Sequence, residues 1–198
     1  MHRAAQFILA LVAIVLLAPL FVLAAVLVRT SLGSPVLFIQ TRSGRDGRPF
    51  PLIKMRSMHN IDDALGRPLP DIGRTPAIGR FIRRTRLDEL PGLFNILRGD
   101  MAFVGPRPLL PATIESLGSI GRARGSVRPG LTGWAQVNGN AMLTLQQKVA
   151  LDLWYIANRS FILDLEIIFR TVGVIFFGER INPNRLEDAV EGRNRRGC

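Results

Sequence analysis

The longest apolar run in the chain, "FILALVAIVLLAPLFVLAAVLV" at positions 7–28, carries no charged side chain and is bracketed by Arg3 and Arg29. At about 1.5 Å per residue, a helix of this length covers a hydrocarbon core of roughly 30 Å. The apolar part of a secretory signal is shorter, about 7–15 residues, so the run reads as a retained membrane segment. Pro19, preceded by Ala18, removes a backbone donor near the middle and predicts a kink or break. Two shapes satisfy that pattern: a kinked span, or a helical hairpin that enters one leaflet and returns. The strongly basic sequence after Arg29 puts that side in the cytoplasm.

Beyond the apolar run the pattern becomes shorter and mixed. Residues 34–58 read as two short strands around the turn "SGRDG", a β-hairpin. Positions 60–74 mix Pro, Gly and Asp without a period and predict a surface loop. From Thr75-Pro76 onward, Ile78, Phe81 and Ile82 recur at helical spacing against Arg80, Arg83 and Arg84, as in an interfacial or an ordinary surface helix. "ELPGLFNILRGDM" predicts a helix with Leu93, Phe94, Ile96 and Leu97 on one face, Pro91 in its first turn and Gly99 as its stop. Two Gly/Pro-rich corners follow, "GPRPLLP" at 105–111 and "RPGLTGWAQVNG" at 128–139, then helices over 144–158 and 161–177. The last of these is very apolar yet includes Asp164, Glu166 and Arg170, so it is expected to lie on the membrane rather than through it. The sequence from Gly178 is polar and predicts a mobile tail.

The chain is 198 residues long with a formal net charge of +11, and of its 26 basic residues only Lys54 and Lys148 are lysines. Arginine is the side chain best shaped for phosphate oxygens, so the excess points to a polyanionic partner without choosing among nucleic acid, lipid and nucleotide. Cys198 is the only cysteine and His2 and His59 the only histidines, which removes disulfides and zinc clusters from consideration. No GxSxG, GxxxxGK[ST] or strand-linked GxGxxG is present.

What remains is a pair of carboxylates among arginines, Asp88-Glu89 within "RRTRLDELPG". Three readings fit the local sequence. The pair caps the following helix, which explains one carboxylate more easily than two. It forms surface salt bridges with Arg84 and Arg86. Or a carboxylate kept ionised by the positive field attacks phosphorus, with cations and Mg²⁺ neutralising the substrate's phosphates.

Taken together, "RRTRLDELPGLFNILRGDMAFVGPRPLLP", "RPGLTGWAQVNG" and "ALDLWYIANRSFILDLEII" resemble the bacterial sugar transferase family, the monotopic phosphoglycosyl transferases, over nearly the whole chain to about residue 177. The resemblance implies a mainly helical α+β protein: a re-entrant membrane helix over 1–30 broken at Ala18-Pro19, a small β-hairpin, and amphipathic interfacial helices around a cytosolic active site over 31–177. Residues 178–198 form the tail. It implies transfer of a sugar phosphate from a UDP-sugar to polyprenyl (undecaprenyl) phosphate with release of UMP, at the cytoplasmic face of the bacterial inner membrane. Asp88 is the implied nucleophile and Glu89 its partner in metal or proton handling, with Mg²⁺ as cofactor. Lys54, Arg83, Arg107 and Gln136 are the implied phosphate or substrate contacts, although packing serves Trp134 equally well. Membrane phospholipids and downstream glycosyltransferases are the implied partners, and nucleic acid is not. The chain departs from the family at Ala18, where a serine is usual, and at Asn140, where many members carry a charged residue. The competing reading is a non-catalytic, membrane-anchored lipid- or nucleic-acid-binding protein.

Overall fold

In the computed structural model, which describes residues 3–59 and 70–195, the N-terminal apolar run is one helix, α1, from Arg3 to Leu32. It continues through Ala18-Pro19 rather than breaking there. One proline deletes one donor, and packing persists on both sides of it. Ala10 and Leu17 join a cluster with Phe50, Leu52, Leu93 and Ile96, while Ala24, Val28 and Leu32 join Met55 and Ile82. Ala10 and Ala24 are fully buried, and their small side chains let α1 approach the rest of the molecule closely. Elsewhere the helix presents Phe7, Ile8, Leu16 and Val22 to its surroundings. Among the described residues it is the one helix long and apolar enough to cross a membrane.

Both ends of α1 touch the same polar body. The Arg3 guanidinium donates to the Arg98 carbonyl at 3.4 Å, and the Leu32 carbonyl accepts from Arg56.

The expected hairpin is present as antiparallel strands β1 (Leu37–Ser43) and β2 (Pro49–Met55). Asp46 and Gly47 turn the chain with φ of 56° and 74°, values that Asp and Gly tolerate best. Of the predicted loop, residues 60–69 lie outside the described residues, and Asp71–Arg74 forms a helical turn, α2. Helix α3 (Ala77–Arg84) buries Ile82 and leaves Phe81 half exposed. Helix α4 (Gly92–Arg98) stops at Gly99, whose φ of 85° caps it in the left-handed region.

Three-residue strands β3 (Ala102–Val104) and β4 (Gly130–Thr132) pair in parallel, with α5 (Pro111–Ser116) and α6 (Gly118–Arg124) between them. Their approach requires glycine: a Cβ on Gly130 would lie 2.1 Å from the Gly105 nitrogen. Helix α7 (Trp134–Val137) leads to α8 (Leu145–Asn158), which opens with a capping box between Thr144 and Gln147. Helix α9 (Phe161–Phe177) buries Leu163, Asp164 and Ile167 and turns Phe161, Ile162, Leu165, Phe169 and Phe176 outward.

The polar C-terminal segment is helical from Pro183 to Arg195 (α10), where the sequence predicted a mobile tail. Leu186 and buried Ala189, three residues apart, seat it against the cluster of Trp134, Leu151 and Tyr155. Two apolar positions in a polar stretch suffice because α8 already supplies the facing surface.

Candidate active site

The hairpin brings a lysine to the carboxylates. Phe50, Leu52 and Lys54 alternate along β2 and so share one face, and the first two are buried against α4. Asn95, fully buried on α4, locks the strand in place: its amide donates to the Pro51 carbonyl at 2.8 Å and accepts from the Ile53 N–H at 3.1 Å. Those are groups of β2 that β1 leaves unpaired, and satisfying both fixes Lys54 over the turn that follows α3.

That turn is a single 3₁₀ turn, Leu87–Glu89, entered through Arg86 at φ 60°. The left-handed conformation costs a non-glycine residue roughly 1–3 kcal/mol, and here it directs Asp88 and Glu89 inward. Pro91 is the N-terminal flanking residue of α4, and no side chain caps that helix. Instead three cations converge on Oε1 of Glu89: Arg107 at 2.8 Å, Lys54 at 3.5 Å and Arg86 at 3.5 Å. Arg84 makes no ion pair with either carboxylate among the described residues.

The two carboxyls are driven in opposite directions. Burial pushes Asp88 up, and the neighbouring Glu89 charge adds to it, so that it titrates at about 6 despite Lys54, Arg107 and Arg86. Burial would push Glu89 up as well, but Arg107, Lys54 and Arg86 outweigh it and hold the group at about 2. Burial, then the Arg107 charge, lowers Lys54. Arg107 is raised chiefly by Glu89. Among the described residues the Asp88 side chain makes no hydrogen bond or ion pair, which leaves its oxygens for a ligand.

Arg107 is held by its backbone. Four successive carbonyls of the corner are taken: Pro106 by the Gly130 N–H at 2.9 Å, Arg107 by the Arg124 guanidinium, Pro108 by Arg42 at 3.3 Å and Leu109 by the Ser43 N–H at 2.9 Å. Arg124 is itself buried against Asp152 at 2.7 Å. The prolines alone would stiffen the corner, and these bonds fix where it points. Lys54, Glu89, Arg107 and Arg42 line an open cleft together with Leu131 and Gly130.

Of the sequence-predicted residues, Lys54, Asp88, Glu89 and Arg107 come together. Arg83 does not join Glu89; its guanidinium is engaged by Ser57 at 2.9 Å, Met58 and Asp71. Gln136 is buried and donates to the carbonyl of Leu131 at 3.1 Å, so it supports the floor of the cleft from behind. Trp134 packs in the core, stacked on Trp154 at 5.1 Å between ring centres.

Glu179 and Arg42 escaped the sequence reading, which has Arg86 only as a salt-bridge partner of the pair. Arg86 reaches both Glu89 and Glu179, the latter at 2.7 Å. Glu179 also accepts from the Asn140 amide and from the Ala141 N–H at 3.0 Å. It lies in the segment read as a tail, and no local pattern distinguishes it. Arg42 was legible in principle, since its position opposite Phe50 in the hairpin puts it on the Lys54 face.

Magnesium takes hard oxygen ligands, often one or two carboxylates with water and substrate phosphate completing the shell. No group of three His, Cys, Asp or Glu residues suited to a metal occurs among the described residues. The free Asp88 oxygens beside Glu89 fit such a sparse site.

Comparison with known proteins assigns the constellation a context. The family model described as bacterial sugar transferase matches residues 1–178. The uncharacterized sugar transferase EpsL of Bacillus subtilis is 46% identical over 154 residues, covering 78% of this chain and 76% of that protein. The undecaprenyl-phosphate glucose phosphotransferase of Komagataeibacter xylinus is 43% identical, over 79% of this chain and 32% of its own length. The UDP-glucose:undecaprenyl-phosphate glucose-1-phosphate transferase of Escherichia coli is 37% identical, over 87% of this chain and 39% of its own. The chain thus spans about a third of the length of the two longer relatives.

Proposed function

The chain belongs to the bacterial sugar transferase family, and from that premise we propose that it moves a sugar phosphate from a UDP-sugar to polyprenyl phosphate through a covalent aspartyl intermediate. Ionised Asp88 attacks the phosphorus that carries the sugar. An O–P bond forms, the bond to the bridging oxygen breaks, and UMP departs with that oxygen. A phosphate oxygen of the polyprenyl acceptor then attacks the same phosphorus, the aspartyl bond breaks, and polyprenyl-diphosphate sugar is released. The observation that carries the reading is the pair itself: two adjacent carboxyls at a basic cleft, Glu89 in its lining and held ionised by three cations, Asp88 beside it with no hydrogen bond or ion pair among the described residues and titrating at about 6.

Lys54 and Arg107 bind the phosphates, and their charges stabilise the negative charge that builds on oxygen as the leaving group departs. Arg42 lines the same cleft and adds to that field. Glu89 orients the three cations. Asp88 and Glu89 would hold Mg²⁺, which when bound neutralises phosphate charge. Arg83, held by Ser57, Met58 and Asp71, is assigned no phosphate, and Gln136 acts through Leu131.

The membrane seat follows the same reading. A helix that crossed the bilayer would part its ends by the full thickness, yet Arg3 and Leu32 both contact one polar body. This supports a helix that enters and leaves on the cytoplasmic side. Outward apolar residues of α9 lie in the same interface.

The test is to incubate membranes holding the full chain with Mg²⁺ and a panel of UDP-sugars, with and without undecaprenyl phosphate, and measure UMP beside an Asp88→Asn control. Asp88-dependent UMP release is expected for at least one donor. Release that persists at the original rate in Asp88→Asn overturns the nucleophile assignment.

A further inference from the structure

A second basic cavity lies away from the cleft and shares no lining residue with it. Its wall is strongly polar and includes Gln6 of α1, Arg45 of the hairpin turn, Ser126, Arg128, Arg159 and Asp164. Three guanidinium groups thus face one carboxylate. Asp164 is buried and accepts from the Tyr155 hydroxyl at 2.7 Å. Arg128 spends its Nε on the Gly99 carbonyl at 3.0 Å, which leaves its terminal nitrogens for another acceptor. Arg159, at the end of α8, is exposed and makes no ion pair among the described residues. Among the described residues Arg45 pairs only with exposed Asp46 at 3.4 Å, an arrangement of little worth in water.

The surroundings say what such a cavity meets. Arg159 is followed by Phe161 and Ile162, 60% and 79% exposed, which begin the outward apolar stripe of α9. Gln6 is followed by Phe7 and Ile8, 46% and 61% exposed, on α1. Apolar side chains on both flanks enter hydrocarbon, so the arginines between them stand at headgroup depth, where long basic side chains reach for phosphate. Guanidinium binds phosphate oxygens in a bidentate manner that an ammonium cannot copy.

We propose that this cavity binds the phosphodiester headgroup of an anionic phospholipid, with the lipid's chains lying along Phe161, Ile162, Phe7 and Ile8. The site draws on the membrane seat proposed above but not on the transfer reaction. A free phosphate offers the same oxygens without the chains, and the two sources separate experimentally.

The full chain, purified in a nonionic detergent, is titrated calorimetrically with short-chain phosphatidylglycerol, short-chain phosphatidylcholine and glycerol 3-phosphate. Phosphatidylglycerol is expected to bind at least roughly tenfold more tightly than either of the others, the scale of one charge-assisted contact. Arg45→Gln with Arg159→Gln should remove that preference. Arg29→Gln with Arg122→Gln, which deletes the same charge at exposed positions elsewhere, should keep it. All four positions are exposed, and Asp88-dependent UMP release from the variants reports that they are folded. Equal losses in the two double variants would mean diffuse surface charge and overturn the proposal. Glycerol 3-phosphate binding as tightly as the lipid would overturn it too, in favour of a soluble phosphate ligand. Neither result touches the transferase reading, which stands or falls on Asp88.

Discussion

Arg124 and Asp152 face each other at 2.7 Å with 5% and 2% of their side chains exposed, whereas Glu89, 12% exposed, offers one oxygen to Arg107, Lys54 and Arg86 together. Both clusters are arginine and carboxylate in a largely buried setting, and a list of ion pairs would not separate them. In the first, one anion meets one cation, and a terminal nitrogen of the same guanidinium donates to the Arg107 carbonyl. In the second, three cations share a single oxygen, two of them, Lys54 and Arg107, line the cleft, and among the described residues the adjacent Asp88 side chain makes no hydrogen bond or ion pair. Function is marked by the imbalance of charge, not by its presence. The two clusters are also linked, because the closed pair fixes the backbone from which Arg107 reaches Glu89.

The largest effects should divide along that line. Asp88→Asn is expected to lower UMP release by roughly 10⁴-fold or more, as for other covalent nucleophiles. Its thermal midpoint should not fall, because a carboxyl that burial pushes up to about 6 is a charge the fold gains by losing. Arg124→Met should do the reverse and cost the fold about 3–5 kcal/mol in urea unfolding, since it strands Asp152. Adding Asp152→Leu should restore most of that stability. Activity should stay low in the restored double variant, because the Arg107 carbonyl still lacks its donor. A double variant with full activity would show that the closed pair does not position the cleft.

How much of this was legible in the sequence follows from how local each determinant is. Helix α1, the hairpin, the stop at Gly99 and helices α8 and α9 rest on runs of apolar residues or on turn residues within a few positions of each other. Strands β3 and β4, three residues each, carry no period to read, and their pairing depends on Gly105 and Gly130 meeting across 25 residues of chain. Helix α10 was hidden because Leu186 and Ala189 are too few to stand out in a polar segment. Asp88 and Glu89 stand out locally as carboxylates among arginines, whereas the roles of Lys54 and Arg107 came through motif resemblance. Arg83 was grouped with them by the same resemblance, but α3 turns it toward Ser57 and Asp71. Glu179 could not be read at all, since its partners Arg86 and Asn140 lie 93 and 39 residues away.

Glu179 gives a test of intermediate size. It is one residue beyond the matched family region and balances Arg86 from the side opposite Glu89. Glu179→Gln should lower kcat/KM roughly tenfold, the worth of one charge-assisted hydrogen bond. The loss should fall on kcat more than on KM if Arg86 acts by orienting Glu89 rather than by holding substrate. Glu179→Asp should recover part of it. A Glu179→Gln enzyme with unchanged kcat would return Arg86 to a purely structural role.

The smallest expected effect is a displacement of the pH profile, and its sign follows from the same imbalance. Asp88 must be ionised to attack phosphorus, so the rate should fall as pH drops through about 6. Glu89, held at about 2, does not titrate in that window. Lys54→Met deletes one of the charges that pull Asp88 down, and the midpoint should move upward by a fraction of a unit to about one unit. Stability should run the other way. Because Asp88 titrates above its usual 3.8, its contribution to stability is complete below that value and is lost as pH rises through about 6. Between these limits the rate should rise while the Asp88 contribution to the urea midpoint falls, a difference read directly against Asp88→Asn. If rate and stability instead declined together on acidification, unfolding and not the protonation of Asp88 would set the acid limb.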